Sequence, residues 1–233
     1  MGTTTAIGWT EATWNPWHGC TKVSPGCTHC YMYAFKERMG QDPSVVVRSK
    51  SNFRVPLRWR DPRVIFTCSW SDWFIADADA WRAEAWEVIR QTPQHTYQIL
   101  TKRPERIAGR LPWTRPEDAW PNVWVGVSIE TQRYVAPRLD PLVLAPVAHR
   151  FVSAEPLLGS LDLTRYLPAI DWLIVGGESG PGYRPMDPTW AEAVVDDCAA
   201  ADVAVYVKQD SGALPGRQGR LSPELWRHKA VPR

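Results

Sequence analysis

The sequence predicts one α/β domain, residues 1–233, built as a partial or irregular TIM-like barrel of parallel strands with a cysteine-bearing loop near its N-terminus. Three observations lead there. Short, near-continuous apolar runs alternate with helix-length stretches, a polar cluster follows almost every run, and three of the five cysteines fall within eleven residues. Near-continuous apolarity marks strands covered on both faces, as in parallel sheets. Strands alternating with helices give a βα barrel or an open doubly wound sheet.

A first strand is expected near Ile7 to Trp14. It is followed by the runs Val64 to Cys68, Tyr97 to Leu100, Val123 to Val127, Arg150 to Ser153, Trp172 to Val175 and Val203 to Val207. Seven strands fall short of the eight of a closed barrel, hence the partial barrel. Helices are expected over Ala78 to Gln91, Arg133 to Val143 and Pro188 to Ala201. The last opens with Asp187 as N-cap and Pro188 at the first helical position, where its missing N–H costs nothing. Lys50 to Pro62 and Gly109 to Asn122, rich in proline and tryptophan, read as insertions, either lids or surface loops.

At 233 residues with 44% apolar and 22% charged content, the chain buries a full core. There is no apolar run long enough to span a membrane, and the start Met1-Gly2-Thr3-Thr4-Thr5 is not a basic-then-apolar leader, so a soluble, cytoplasmic protein without membrane partners is expected. A net charge of +2 does not by itself argue for a polyanionic partner. The fourteen tryptophans are expected mainly in the core, with a minority, drawn from Trp70, Trp73, Trp113 and Trp120, offering stacking surfaces in loops.

The runs end in Ser69-Trp70-Ser71-Asp72, Thr101-Lys102-Arg103, Ser128-Ile129-Glu130, Ser153-Ala154-Glu155, Gly176-Gly177-Glu178 and Lys208-Gln209-Asp210. In a parallel barrel these ends share one face, where such folds build their active sites. Cys20, Cys27 and Cys30 form C-x6-C-x2-C, and an odd number of clustered cysteines fits metal ligation in a reducing compartment. Three thiolates match three irons of a four-iron cluster and leave one iron open, whereas structural zinc closes with four ligands. Two alternatives stay open: a zinc-binding, nucleic-acid-associated module with His18 or His29 as fourth ligand, and a barrel hydrolase using Asp72, Glu130 and Glu155.

The segments Trp14-Asn15-Pro16, Gly19-Cys20-Thr21-Lys22-Val23-Ser24-Pro25-Gly26-Cys27, Cys30-Tyr31, Ser69-Trp70-Ser71-Asp72, Leu100-Thr101-Lys102-Arg103-Pro104, Gly126-Val127-Ser128-Ile129-Glu130, Ser153-Ala154-Glu155-Pro156-Leu157-Leu158-Gly159, Gly176-Gly177-Glu178-Ser179-Gly180 and Lys208-Gln209 resemble the phage Gp37/Gp68 family, the domain-of-unknown-function 5131 family. The resemblance runs from about Trp9 to Gly212 and implies a radical S-adenosylmethionine enzyme. It implies a [4Fe-4S] cluster on Cys20, Cys27 and Cys30 that binds S-adenosylmethionine at its free iron. One electron, from a donor such as flavodoxin or ferredoxin, then yields methionine and a 5′-deoxyadenosyl radical that abstracts hydrogen from the substrate. The wider superfamily commonly has C-x3-C-x2-C with an aromatic residue before the last cysteine. This chain has a six-residue first gap, His29 in that place and Tyr31 just after.

On that resemblance, Ser69, Ser71 and Asp72 are expected around the cofactor's ammonium, with Asp72 the favoured partner. Lys102 or Arg103 would take its carboxylate or a substrate phosphate. Glu130 and Glu155 suit ribose hydroxyls, Gly176 and Gly177 permit close backbone approach, and Ser128 and Glu178 complete the cofactor set. Arg103, Arg184, Lys208 and Gln209 are expected on the substrate side, read as a nucleic-acid base or nucleotide undergoing modification or repair. Cys68 is the candidate hydrogen donor near the radical, and Cys198 is structural.

Overall fold

The computed structural model describes residues 5–232; the start Met1-Gly2-Thr3-Thr4, read above as carrying no leader, lies outside them. In chain order the elements are β1 (Ala12–Trp14), β2 (Trp17–His18), α1 (Tyr31–Arg38), β3 (Val47–Arg48), β4 (Val64–Thr67), α2 (Asp79–Arg90) and β5 (Thr96–Thr101). They continue with β6 (Val123–Ser128), α3 (Val135–Leu144), β7 (His149–Ala154), β8 (Trp172–Gly176), α4 (Pro188–Ala200), β9 (Ala204–Gln209) and α5 (Pro223–Trp226). Seven strands pair in parallel in the order β1-β4-β5-β6-β7-β8-β9, and the sheet curls into a half-barrel with β1 and β9 at its edges.

Each predicted strand and helix is present. The first strand is shorter than expected, Ala12–Trp14, and pairs with β4 through Ala12 opposite Ile65. Asp187 caps α4, its carboxylate accepting from the Thr189 N–H at 3.0 Å. Unforeseen are α1, α5 and an antiparallel two-residue ribbon, β2 with β3, in which Trp17 faces Arg48. Among the described residues no helix is long and apolar enough to cross a membrane.

Side chains alternate along a strand, so each strand feeds two layers. Ile65, Tyr97, Ile99, Val125, Val127, Val152, Leu173 and Val205 join Ala85, Ile89, Leu139, Leu142, Ala191 and Val194 of the helices in the main core. The opposite set, Phe66, Trp124, Phe151, Trp172 and Ile174, faces the concave side and packs with Trp9 in a second cluster. Trp9 lies tilted 4.8 Å from Phe66 and edge to face 5.8 Å from Trp172. Trp124 and Trp172 lie near the N-terminal ends of β6 and β8, so this plug fills the lower lumen and leaves the C-terminal half to polar groups.

The tryptophans correct one expectation. Trp73 is wholly buried and Trp113 is 6% exposed, so neither offers a face to a ligand. Trp73 packs against Trp14, Trp17 and Trp86 at 5.8, 5.1 and 5.0 Å, and Trp86 against Trp113 and Trp120 at 5.7 and 6.0 Å. Ring burial at this scale outweighs exposure for stacking, and the chain of rings ties α2 and the 109–122 segment to the sheet. The two insertions are likewise packed down rather than free lids: the Trp14 indole N–H donates to the Asn52 and Phe53 carbonyls, and that of Trp113 to Pro146.

Gly126 leaves room for the Phe151 ring, since a Cβ there would meet three ring atoms at 2.6 Å. Gly126→Ala is expected to destabilise the fold by about 1–3 kcal/mol through overpacking. The urea midpoint, compared with that of Gly109→Ala, where the added Cβ meets open space, measures it.

Candidate active site

The cysteine loop leaves β2 through Gly19, whose φ of +96° belongs to the left-handed region and where a Cβ would lie 2.1 Å from the Val45 carbonyl oxygen. Pro25–Cys27 forms a tight 3₁₀ turn opened by proline, and Cys30 is the N-cap residue of α1. None of Cys20, Cys27 and Cys30 is in a disulfide, and all three are partly exposed.

The loop is strapped to the strand ends at every turn of its path. The Ser71 hydroxyl donates to the Gly19 carbonyl at 2.6 Å, and the Gly19 N–H to the Trp70 carbonyl at 3.0 Å. Arg103, just after β5, reaches the Thr21 carbonyl at 3.0 Å, the Thr21 hydroxyl at 2.8 Å and the Cys20 sulfur at 3.7 Å. The Ser24 hydroxyl donates to Glu130 Oε1 at 2.8 Å, and Gly26 lies so close that a Cβ would sit 2.4 Å from that oxygen. Arg184 donates to the Pro25 carbonyl at 2.9 Å, and His29 Nδ1 lies 2.9 Å from Glu178 Oε2.

Beyond Ser71 and Trp70, the straps stand on ion pairs. Asp72 accepts from Phe74 N, Thr101 Oγ1, Lys102 N and Arg103 Nη1, at 2.9, 2.7, 2.9 and 3.0 Å. Glu130, wholly buried, accepts from Arg138 Nη1 at 2.7 Å and lies 3.6 Å from Lys102 Nζ. Glu178 accepts from the Arg184 backbone at 2.8 Å and pairs with its guanidinium. Burial raises the Glu178 pKa, but the hydrogen bonds from Arg184 and His29 prevail and bring it down to about 2.

Two of the expected ligand contacts therefore give way. Both oxygens of Asp72 are committed within the protein, so this carboxylate positions Arg103 instead of receiving a cofactor ammonium. Gln209 is 1% exposed, its amide bonded to the Gly177 carbonyl and the Gly216 N–H, so it shapes the rim rather than meeting a substrate. Arg103 and Arg184 are loop anchors, and Ser71 acts with them. Gly177 admits the 209–211 turn, where a Cβ would meet Ser211 N at 2.2 Å. Ser69 exchanges hydrogen bonds with Asn15 and accepts on its carbonyl from the Tyr31 hydroxyl. Ser128 is buried, its carbonyl taken by Arg138. Arg138 carries no motif signal, and Thr21 and Ser24 lie inside the cysteine motif with no role assigned to them there; their place against Glu130 and Arg103 reveals all three.

What stays open is a smaller set. Lys102, Glu155 and Lys208 are partly exposed on the concave face, with Glu155 and Lys208 paired across β8. Cys68 is buried directly after β4 at a φ of +55°, and burial, with Asp72 and Cys20 nearby, pushes its thiol well up. Burial first, then the Asp72 charge, pushes the Cys20 thiol up to about 12 against the opposing pull of Arg103. Among the described residues no three His, Cys, Asp or Glu side chains are gathered closely enough to hold a metal ion. The loop carries three thiols free of disulfides, with the Cys20 sulfur in contact with Arg103 and the Cys27 sulfur 3.8 Å from the Ser24 hydroxyl. Of the histidines named for zinc, His29 is held by Glu178, and His18 sits on β2 with its Nδ1 buried and without a hydrogen bond.

A family model described as "Protein of unknown function (DUF5131)" matches residues 4–223. No curated protein and no solved structure matches the chain.

Removing one partner of the buried Glu130–Arg138 pair leaves an uncompensated charge, so Glu130→Ala is expected to cost about 3–5 kcal/mol. It also frees Ser24, so proteolysis after Lys22 should quicken more than cleavage elsewhere. Glu178 predicts an acid response. Its folded pKa is depressed from 4.5 to about 2, so its stabilisation is complete above 4.5 and is lost as pH falls toward 2. The stability gap between the native chain and Glu178→Gln should therefore be widest near neutrality and shrink on acidification, as urea midpoints across the acid range would record.

Proposed function

The chain belongs to the DUF5131 family, and from that premise we propose that it is a cytoplasmic radical S-adenosylmethionine enzyme acting on a nucleic-acid base or nucleotide. The observation that carries the reading is the strapping of three free thiols across the polar end of a parallel half-barrel. Three rim segments commit ion-paired charge to holding a loop that contributes little to the core, which is economical only if the loop's position matters to chemistry. A [4Fe-4S] cluster on Cys20, Cys27 and Cys30 would supply, when reduced by a flavodoxin- or ferredoxin-type donor, the electron that cleaves bound S-adenosylmethionine to methionine and a 5′-deoxyadenosyl radical.

The chain's own residues then divide the work. Arg103, held by Asp72, donates toward the Cys20 sulfur and opposes the rise that burial and Asp72 give its thiol; Cys30 stands as N-cap residue of α1. Lys102, Glu155 and Lys208 remain to bind polar groups in the lumen. The aromatic plug below closes the lumen floor and excludes water, as radical chemistry requires. Cys68, beneath the loop, is the candidate hydrogen donor. A carboxylate hydrolase fits less well, because Asp72 and Glu130 are each locked to an arginine.

Anaerobic reconstitution tests this. About four irons per chain, with visible charge-transfer absorption, are expected. Cys20→Ala, Cys27→Ala or Cys30→Ala should each lose the iron, while Cys198→Ala keeps it. Dithionite and S-adenosylmethionine should then give 5′-deoxyadenosine. A colourless protein holding one zinc would support the zinc module instead.

A further inference from the structure

Asp79, the first residue of α2, is met by three arginines from two segments of the chain. Arg82 Nη1 donates to its Oδ1, Arg106 Nη2 to both oxygens at 2.7 and 2.8 Å, and Arg110 to Oδ2 through Nε at 3.2 Å and Nη2 at 2.9 Å. Arg82 is buried and balances the carboxylate by itself, its other N–H groups going to the Trp73 and Ile75 carbonyls. Arg106 and Arg110 are in surplus. Neither pairs with another acidic group among the described residues, so three guanidinium charges stand against one carboxylate and two remain. Their side chains are 25% and 43% exposed, within reach of a ligand. Arg106 Nη1 makes no hydrogen bond among the described residues, and Arg110 Nη1 meets only the carbonyl of Gly109. Like charges held this close repel, and an anion laid against them relieves the repulsion.

Beside this cluster a groove of about 460 Å³ runs between α2 and the 109–122 segment, on the helix-covered side of the sheet and away from the concave lumen. That volume falls within the range of small-molecule sites, about 300–1,000 Å³. Asp79 and Arg90 both line it, and at 1.5 Å per residue they stand about 16 Å apart along α2. Arg90 is paired with Glu87 and adds no net charge, so the surplus is confined to the Asp79 end. Between the ends the lining is apolar, with Leu111, Pro112 and Trp120 over Trp86. The Trp86 indole N–H holds the Arg110 carbonyl at 2.9 Å, and its ring lies 6.0 Å from that of Trp120, so the two walls are fixed to each other. Trp120 is only partly buried and keeps the open face that Trp73 and Trp113 lack.

We propose that this groove is a second binding site, separate from the strand-end rim, for a nucleotide bearing a phosphate monoester, the phosphate on Arg110 and Arg106 and the base against Trp120 and Pro112. A phosphate monoester carries about −1.5 to −2 at neutral pH, which matches the two surplus guanidinium charges. Arginine's planar fork suits its oxygens. An inorganic anion would answer the arginines and leave the apolar lining bare, and an uncharged heterocycle would do the reverse; a nucleotide covers both. Stacking against tryptophan is tolerant of base identity, so the site selects for phosphate and ring together rather than for one base. The same group occurs on a free mononucleotide and on the 5′-phosphorylated end of a strand. The site stands whether or not the cysteine loop carries a cluster.

Thymidine 5′-monophosphate, thymidine and ribose 5-phosphate, titrated calorimetrically into the full chain at low salt, test the site. The monophosphate should bind about tenfold or more tighter than either fragment, and more weakly as salt rises. Arg110→Gln, which leaves Arg82 and Arg106 on Asp79, should weaken it about tenfold while the urea midpoint stays close to that of the native chain. A 5′-phosphorylated oligothymidylate that binds tighter than the mononucleotide and loses as much in Arg110→Gln upholds the site as one for strand ends; preference for the mononucleotide upholds it as one for free nucleotides. Absence of monophosphate binding at low salt, binding untouched by Arg110→Gln, or ribose 5-phosphate binding as tightly as the monophosphate overturns the assignment. Iron content and 5′-deoxyadenosine yield should be the same in the native and Arg110→Gln chains, so the groove and the cysteine loop are tested independently.

Discussion

Three ion pairs at the strand ends, Asp72 with Arg103 and Glu130 with Arg138, both buried, and buried Glu178 with the partly exposed Arg184, are the constraint on which the site depends. Removing charges from water costs several kcal/mol per ion and is offset only when each charge is paired and its remaining donors and acceptors are met. Here the cysteine loop meets them: Thr21 takes the spare N–H groups of Arg103, Ser24 donates to Glu130, the Pro25 carbonyl accepts from Arg184, and His29 joins Glu178. The loop needs the rim for its place, and the rim needs the loop for its charges. That reciprocity gives a segment of little apolar content a defined position over the lumen.

The half-barrel separates this polar layer from an apolar one by simple alternation. On the concave face, Phe66, Trp124, Phe151 and Trp172 occupy the lower strand positions, whereas Ser128, Ser153, Gly176 and Lys208 occupy the upper ones. The aromatic plug makes the lower lumen a core of its own, so the sheet is buried on both faces there and its strands need not alternate in polarity. Only above the plug does the concave face meet solvent. Catalytic side chains in such a site inherit their direction from the strands, which are the most rigid elements available.

Sorting the rim residues by their partners changes what each is able to do. A guanidinium that spans Asp72, Thr21 and Cys20 has few donors left for a phosphate, however well its sequence position suits one. Lys208 and Glu155, paired with each other among the described residues, have spare capacity. The difference is invisible in residue type and resides entirely in the count of hydrogen bonds already made.

The seven parallel strands and the helices α2, α3 and α4 between them were determined by the sequence alone; α1, α5 and the β2–β3 ribbon were not. Apolar runs such as Val123 to Val127 have one stable use, a strand covered on both faces, and Asp187-Pro188 starts a helix by local backbone chemistry. The gathering of polar clusters at one rim followed too, because parallel strands put their ends together. Only the tertiary structure decided which of those polar residues face a ligand and which face the loop. Asp72 and Glu155 look alike in sequence, yet one is enclosed by Arg103 and Thr101 and the other opens on the lumen. Trp73 and Trp70 fall in the same turn, yet one is wholly buried and the other only partly. Such choices rest on contacts between segments tens of residues apart, Ser24 with Glu130 or Arg184 with Pro25, and no local pattern encodes a partner at that distance.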